Sequence, residues 1–170
     1  MSGGPGTGMG IAVTTVTTNA QAPLGFIHTE PASLSQGLTA QGEKTWIYVK
    51  ASGSALAAGD VCIRQPGSQN YGDLVVGPTA NGVIISSGAV AVDRVVGVAQ
   101  HAIPDGSFGF IQRSGIGNAT DNGTLAVDDG ITPAAAGDAA TAGVGVGSFG
   151  LALTAPGAGL IAVCLLNCDG

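Results

Sequence analysis

The chain has 170 residues and a formal net charge of −6, and only 9% of its residues are Asp, Glu, Lys or Arg, against about 25% in average proteins. This acidic balance and the lack of a Lys/Arg cluster argue against nucleic-acid binding, because a phosphate backbone must be neutralised by grouped cations. No apolar run reaches the length of about 18 residues that a transmembrane helix needs, and a surface so poor in charge is typical of a protein covered by neighbouring subunits.

The first predicted element is an extended N-terminal arm over residues 1–23, followed by a single β domain over 24–170. Residues 1–10 are rich in Gly, which loses much conformational entropy on ordering. The Thr/Val-rich stretch that follows favours extended backbone, which can add a strand to a partner's sheet edge; the alternative is a disordered tail. The residues predicted to contact a partner or a sister subunit are Ile11, Val13, Thr14, Thr15, Val16, Thr17 and Thr18.

Short segments with alternating polarity continue along the chain. Residues 45–50 predict the first clear strand. Its alternation places Trp46 and Tyr48 on one face of the strand, with Ile47 and Val49 on the other. Further strands are predicted over 61–65, 74–76, 83–86, 89–92, 95–100, 108–112, 124–127, 148–154 and 160–166.

Turn signals separate these segments. Asn81-Gly82 predicts a hairpin, and Pro104-Asp105-Gly106 predicts a tight reversal in which Pro presets φ and Gly supplies a positive φ. Residues 24–41 predict loops with one or two short strands. Residues 133–142 are Ala-rich and favour at most a helical turn, because Gly137 interrupts them. The predicted fold is therefore all-β, a small β-barrel or β-sandwich of short antiparallel strands.

Two internal echoes indicate a duplicated unit. In the first, a strand, a reversal and a second strand recur at a constant interval. In the second, Ala58-Gly59-Asp60 recurs as Ala136-Gly137-Asp138. The matched positions of the first echo are Gly97, Ala99, Ala102 and Gly106, which recur as Gly150, Ala152, Ala155 and Gly159.

The same residues carry a resemblance to a known family. The segments ALAAGDVCIR, VVGVAQHAIPDGSFGFIQRSG, AGDAATAG and FGLALTAPGAGLIAVCL resemble the small head-decoration proteins of tailed phages, over roughly residues 55–166. The shared pattern is an Ala-Gly-Asp turn before a strand, a Val-Gly-Val-Ala strand, a Pro/Asp-Gly reversal and an apolar final strand. The long front segment and the hydrophobic loop 81–91 depart from that pattern.

The resemblance implies a capsid decoration, or cement, protein that binds the outer surface of the phage head and stabilises contacts between major capsid protein subunits. Its partners would be the major capsid protein and itself, as a homotrimer. It would be made in the host cytoplasm and located on the outer surface of the virion. The alternative is a tail-associated or host-surface-binding β module, an adhesin, which would need an exposed aromatic or polar groove.

No catalytic, cofactor-binding or metal site is predicted, and the chain is not expected to be an enzyme. His101, Asp105 and Ser107 straddle one tight reversal, and no Gly-x-Ser-x-Gly elbow is present. The glycines of residues 143–147 are not followed by the Lys and Ser/Thr of a phosphate loop. Asp128 and Asp129 are better explained as turn formers, and they form no calcium-loop spacing with Asp121.

The cysteines and aromatic residues are predicted to be structural. Three cysteines make an odd number, which argues against a complete disulfide framework. A free Cys commonly behaves as a small buried apolar residue, and this is the role expected here. Trp46, Tyr48 and Tyr71 are expected to pack in the core or a subunit interface, the alternative being an exposed aromatic patch. The cysteines are Cys62, Cys164 and Cys168.

Overall fold

The computed structural model describes residues 10–32, 42–52, 55–64, 75–78 and 94–168. These residues form ten β-strands and the 3-10 turn Ala135–Gly137, and contain no α-helix. The predicted all-β fold is thereby confirmed. None of the described residues lies in a helix long and apolar enough to cross a membrane. The strands are β1 Ile27–Glu30, β2 Lys44–Ala51, β3 Val61–Arg64, β4 Val75–Pro78, β5 Val95–Val98, β6 Phe108–Thr120, β7 Gly130–Pro133, β8 Ala139–Thr141, β9 Gly150–Ala152 and β10 Ile161–Asn167.

Strands β2, β4, β3, β5 and β6 close into a ring, which we call ring 1. β2 pairs with β6 along one edge and, in parallel, with β4 along the other. Antiparallel pairing of β4 with β3, of β3 with β5 and of β5 with β6 completes the closure. β1 extends the sheet outside the ring by pairing antiparallel with the first half of β2.

The second half of β6 belongs to another ring, ring 2. β6 is 13 residues long, and its C-terminal half pairs with β10. Antiparallel pairing then runs from β10 to β9, from β9 to β7 and from β7 to β8. A parallel bridge between Ala139 of β8 and Asp121, directly after β6, closes the ring. β6 is therefore the one strand that both rings share.

The two rings repeat each other in register as well as in connectivity. Val98 of β5 pairs with Gln112 of β6, and Leu151 of β9 pairs with Leu165 of β10. These two pairs are separated by the same interval as the first sequence echo. That echo, taken as a sign of a duplicated unit, is therefore confirmed.

The parallel pairing is repeated too. In ring 1 it joins Ala51 of β2 to Val76 of β4, and in ring 2 it joins Asp121 to Ala139. Ala51 and Asp121 also make the same backbone bonds. The Ala51 N–H donates to the carbonyl of Ser107, as the Asp121 N–H donates to that of Leu160, each at 2.9 Å.

The second echo, between residues 58–60 and 136–138, does not correspond to equivalent positions in the two rings, so that prediction was wrong. In ring 1, the Gly59 N–H donates to the Ala99 carbonyl (2.8 Å), and the Ala99 N–H donates to the Asp60 carbonyl (2.9 Å). The ring 2 turn that makes the equivalent bonds ends at Asp129, directly before β7. Residues 136–138 instead form the 3-10 turn that leads into β8.

The reason is a change of residue at the turn's positive-φ position. Gly59 has φ of 96° in ring 1, and Asp128 has φ of 69° in ring 2. The Asp128 N–H donates to the Ala152 carbonyl, and the Ala152 N–H donates to the Asp129 carbonyl, both at 2.9 Å. Asp tolerates the left-handed region better than most residues, so the turn is kept although its glycine is not.

Most predicted strands occur in the structure, with shifted bounds. Residues 124–127 form no strand, so that prediction was wrong. Their backbone is held by side-chain hydrogen bonds instead. β7 and β8 were not predicted, because short Gly- and Ala-containing segments carry little β signal. The strands predicted over 83–86 and 89–92 and the Asn81-Gly82 turn lie outside the described residues.

Three apolar clusters fill the molecule. The interior of ring 1 includes Ile47, Val49, Cys62 and Ile111. The interior of ring 2 continues onto the outer side of β3 and β5. The third cluster covers the outer side of β2 and β6, so Trp46 and Tyr48 face away from Ile47 and Val49, as the alternation predicted. The third cluster comprises Ile11, Val13, Ala22, Trp46, Tyr48 and Phe110, with Leu24, Phe26 and Phe108 packed against it.

Candidate interaction surface

The N-terminal segment, residues 11–26, lies against the outer face of ring 1. Ile11 and Val13 are each only 8% exposed, and they pack in the cluster that contains Trp46 and Tyr48. Thr17 and Phe108 exchange both backbone hydrogen bonds, at 3.0 and 2.8 Å. The described part of the predicted arm therefore covers an apolar face of its own domain.

The residues predicted to contact a partner divide into three groups. Ile11 and Val13 are buried, so their side chains are occupied within the chain. Thr14 and Thr18 are exposed. Thr15, Val16 and Thr17 are half-buried.

The expected core packing of the aromatic residues is seen for two of them. The Trp46 Nε1–H donates to Glu30 Oε2 at 3.1 Å, and the Tyr48 hydroxyl accepts the Gln21 N–H at 3.0 Å. Each ring is thus buried while its polar atom is satisfied. Tyr71 lies outside the described residues.

The reversal between β5 and β6 does not assemble a catalytic group. The Nε2 of His101 is buried without a hydrogen-bond partner. Ser107 is buried as well, and its N–H donates to the Pro104 carbonyl in the turn. Burial lowers the pKa of His101, so the imidazole is neutral around pH 7. A serine nucleophile would need a hydrogen bond to that nitrogen.

Asp121 has a structural role. Its side chain is fully buried. Oδ1 accepts the N–H groups of Gly123 (2.6 Å) and Leu125 (3.3 Å), and Oδ2 accepts that of Gly157 (3.0 Å). The carboxylate therefore ties together two loops at the end of ring 2.

Two further carboxyl groups lie where the rings meet. Burial raises the pKa of Asp60, with a smaller contribution from the charge of Asp138. Burial and the charge of Asp121 likewise raise the pKa of Asp138. No group of three or more His, Cys, Asp or Glu side chains that could hold a metal ion occurs within the described ranges. Asp60 acts as a local hydrogen-bond partner: the Ala57 N–H donates to Asp60 Oδ2 at 2.8 Å.

The three cysteines are buried, as their expected role as apolar residues requires. Burial is the main cause that raises the pKa of Cys164 to about 11, and it raises the pKa of Cys62 as well. Both thiols are therefore protonated at neutral pH, and thiolate chemistry is disfavoured.

The outer side of ring 2 is an exposed apolar face. In β10, Ala162, Cys164 and Leu166 are buried, whereas the alternate residues point outward. Ile161 is 46% exposed and Leu165 is 44% exposed. We call this surface the β10 face. It consists of Ile116, Asn118 and Thr120 on β6, Leu151 on β9, and Ile161, Val163 and Leu165 on β10.

The β10 face is continuous across three strands and carries no charged side chain. Leu165 lies opposite Ile116 on β6 and opposite Leu151 on β9. A contiguous exposed apolar patch is a common feature of protein–protein contact surfaces, so this face is the candidate interaction surface. The sequence prediction of a buried strand over 160–166 missed it, because one face of that strand is buried and the other is not. The only signal in the sequence is that the outward positions are as apolar as the inward ones.

A second exposed apolar feature is the turn between β8 and β9. It is closed by the Val146 N–H, which donates to the Gly143 carbonyl at 3.0 Å. The Val144 side chain is fully exposed at its tip. The turn agrees with the prediction of a β connection.

Comparison with known proteins gives a likeness of fold. No protein-family model matches the sequence, and no curated protein sequence matches it. Among solved structures, the chain is similar to the N base of head fiber gp8.5 in bacteriophage phi29. The TM-score is 0.50 and the sequence identity 14%, and the match covers 74% of this chain and 95% of that chain.

Proposed function

We propose that the chain is a structural virion protein of a tailed phage. In this proposal it is a capsid decoration protein that binds the outer surface of the head and stabilises contacts between major capsid protein subunits. The observation that carries the proposal is the shared fold with the base of a phage head fiber, which extends over 95% of that chain.

The surface of the molecule supports a role in packing against other proteins. Only 9% of the residues are charged, and ring 2 presents an apolar β10 face in addition to the exposed Val144 turn. A protein that binds only the assembled shell stabilises that shell by mass action, without any chemical step. The proposal accordingly includes no enzymatic activity and no cofactor.

The partners in this proposal are the major capsid protein and further copies of the chain, assembled as a homotrimer. Thr14 and Thr18 are the members of the predicted contact set whose side chains are exposed, and they are the candidates for a contact from the N-terminal segment. Ile11 and Val13 would support that contact indirectly, by holding the segment on ring 1.

The adhesin alternative has weaker support. Recognition of a host surface by stacking would use exposed aromatic rings, and Trp46 and Tyr48 are buried under residues 11–26. The exposed apolar side chains in the described part of the chain are aliphatic ones. The fold of a head-fiber base also favours attachment to the head over recognition of a host.

The proposal is tested by adding the purified chain to phage heads that lack it and separating bound from free protein by sedimentation. We expect saturable binding at a copy number comparable to that of the shell protein, with an increased melting temperature of the heads. Binding of a few copies confined to tails would support the adhesin instead, and no binding to either would contradict both functions.

A further inference from the structure

The molecule shows how one copy of its repeated face is covered. On ring 1, the outer side of β2 and β6 is covered by residues 11–26. The adjoining part, at Val98 of β5, packs in the same cluster as the interior of ring 2. Gln112, the partner of Val98 on β6, is 1% exposed. On the outer face of ring 1, Val98, Gln112 and the apolar cluster on β2 and β6 are therefore buried inside a single chain.

In the described part of the chain, the equivalent face of ring 2 is covered only at one end, where Thr120 and Ile161 lie against Gly59 of ring 1. By strand pairing, Leu165 takes the place of Gln112, and Leu151 takes the place of Val98. Among the described residues there is no further ring to pack on them, and the segment 11–26 is already placed on ring 1. Ile161, the counterpart of Phe108, is 46% exposed.

The charge distribution selects the partner. The chain carries a net charge of −6, so two copies repel each other unless they approach through an uncharged surface. Every residue of the β10 face is uncharged. A partner of different charge would be recognised by charged side chains on the face, and it offers none. An uncharged face can meet the same face of another copy around a symmetry axis, where each copy presents the same apolar residues.

We propose that the β10 face is the surface through which copies of this chain meet, with Leu151 and Leu165 at its centre and Ile161 at one end. In this contact, the outward apolar side chains of ring 2 are buried against neighbouring copies, whereas the equivalent side chains of ring 1 are buried within one chain. The assignment names the surface used for the self-association in the proposed function, and it can fail while binding to phage heads still holds.

The test is sedimentation equilibrium of the full chain and its Leu165→Glu variant. The single-chain mass is 16.4 kDa, and we expect a multiple of it for the unchanged protein. A carboxylate on the face must be desolvated at the contact, so self-association should weaken by about 10-fold or more. The control is Val144→Glu, which adds the same charge at an exposed turn outside the face and should leave the mass unchanged.

A second variant reports the contact directly. All three native cysteines are buried, so Leu165→Cys adds one accessible thiol. Mild oxidation should then give a covalent dimer on a non-reducing gel, whereas Val144→Cys should not. Circular dichroism of each variant checks that the all-β fold is retained, which is expected because both side chains point into solvent.

Two results would overturn the assignment. One is a single-chain mass for the unchanged protein at about 100 µM. The other is a Leu165→Glu variant that keeps the mass of the unchanged protein; if that variant also no longer binds heads, the face belongs to the shell protein. If the unchanged chain self-associates but does not bind heads, the proposed function is contradicted and the assignment of the β10 face is not.

Discussion

Ring 1 and ring 2 have the same strand connectivity and register, and they differ mainly in what lies on their outer faces. In ring 1 that face carries Tyr48, Phe108 and Phe110, whose aromatic rings pack together under the N-terminal segment. In ring 2, Phe110 is replaced by Val163 and Phe108 by Ile161, and among the described residues only Gly59 lies against this face, at its Ile161 end. The same framework thus holds a finished hydrophobic core in one place and an exposed apolar surface in the other.

The comparison separates residues that stabilise the fold from residues available for binding. A side chain on the covered face contributes to the free energy of unfolding through the contacts it makes inside the chain. A side chain at the equivalent position of the open face makes few such contacts, so its apolar character needs another explanation. Binding to a second protein provides that explanation, because it removes the same surface from water.

The largest difference between the rings is expected from truncating equivalent residues on the two faces. Phe110 is fully buried, so Phe110→Ala should lower the free energy of unfolding by about 3–5 kcal/mol. Val163 is half-buried, and Val163→Ala should cost about 1 kcal/mol or less. Urea denaturation of the two variants measures both values, and equal losses would remove the distinction between the faces.

The next effect concerns the position where ring 1 has Ala51 and ring 2 has Asp121. Asp121→Ala gives ring 2 the residue of ring 1 but leaves the N–H groups of Gly123, Leu125 and Gly157 without their acceptor. Unsatisfied buried groups cost about 1–3 kcal/mol each, less where water enters, so we expect a loss of about 2–4 kcal/mol in urea denaturation. A loss below about 1 kcal/mol would show that the carboxylate is not needed to hold these loops.

A smaller pair of effects, of opposite sign, is expected at the turns before β3 and β7. A Cβ at Gly59 would collide with Thr120 and Ile161, and its φ is 96°, so Gly59→Ala should destabilise by about 2 kcal/mol. Asp128 has φ of 69°, which Gly adopts without strain, so Asp128→Gly should stabilise by about 0.5–1 kcal/mol. Thermal melts compare the two, and a stabilising Gly59→Ala would disprove the equivalence of these turns.

The smallest effect is the pH dependence caused by His101, a ring 1 residue that has no histidine counterpart in ring 2. Burial lowers the pKa of His101 in the folded chain, so the unfolded chain binds this proton more tightly. The contribution of His101 to stability is complete above about pH 6.5, the value for an unperturbed imidazole, and is lost as the pH falls through the lower folded-state pKa. Ring 2 has Thr154 at the equivalent position.

The measurement is the melting temperature of the unchanged protein and of His101→Thr at pH 7.5 and 5.5. The unchanged protein should lose more of its melting temperature between these two values than the variant does. An equal decrease in both proteins would assign the pH dependence to other groups. Asp60 and Asp138 change stability in the opposite sense, because their raised pKa values favour the folded state as they become protonated at lower pH.

The sequence was sufficient for the fold class and for the faces of β2, because β-branched and aromatic residues alternate there with period two. It also indicated the repeat through glycines and alanines that keep a constant interval. It could not identify the turn at Asp128, where an acidic residue replaces the expected glycine. Nor did it show that Ile11 and Val13 pack on their own domain, because an apolar residue in an extended segment has the same pattern whichever surface covers it.

The β10 face was the least predictable feature for a related reason. The outward and inward residues of β10 are equally apolar, so the polarity pattern does not identify the exposed face and predicts a strand that is buried on both sides. Only the pairing of β10 with β6 and β9, together with the placement of residues 11–26 on ring 1, shows which side is left open.

Cryo-electron microscopy of heads saturated with the purified chain would show both the docking site and the self-contact. We expect density for the two-ring domain on the outer surface of the shell, with the β10 face buried against neighbouring copies of the chain. Density restricted to the tail, or a head-bound domain whose β10 face points into solvent, would contradict this expectation.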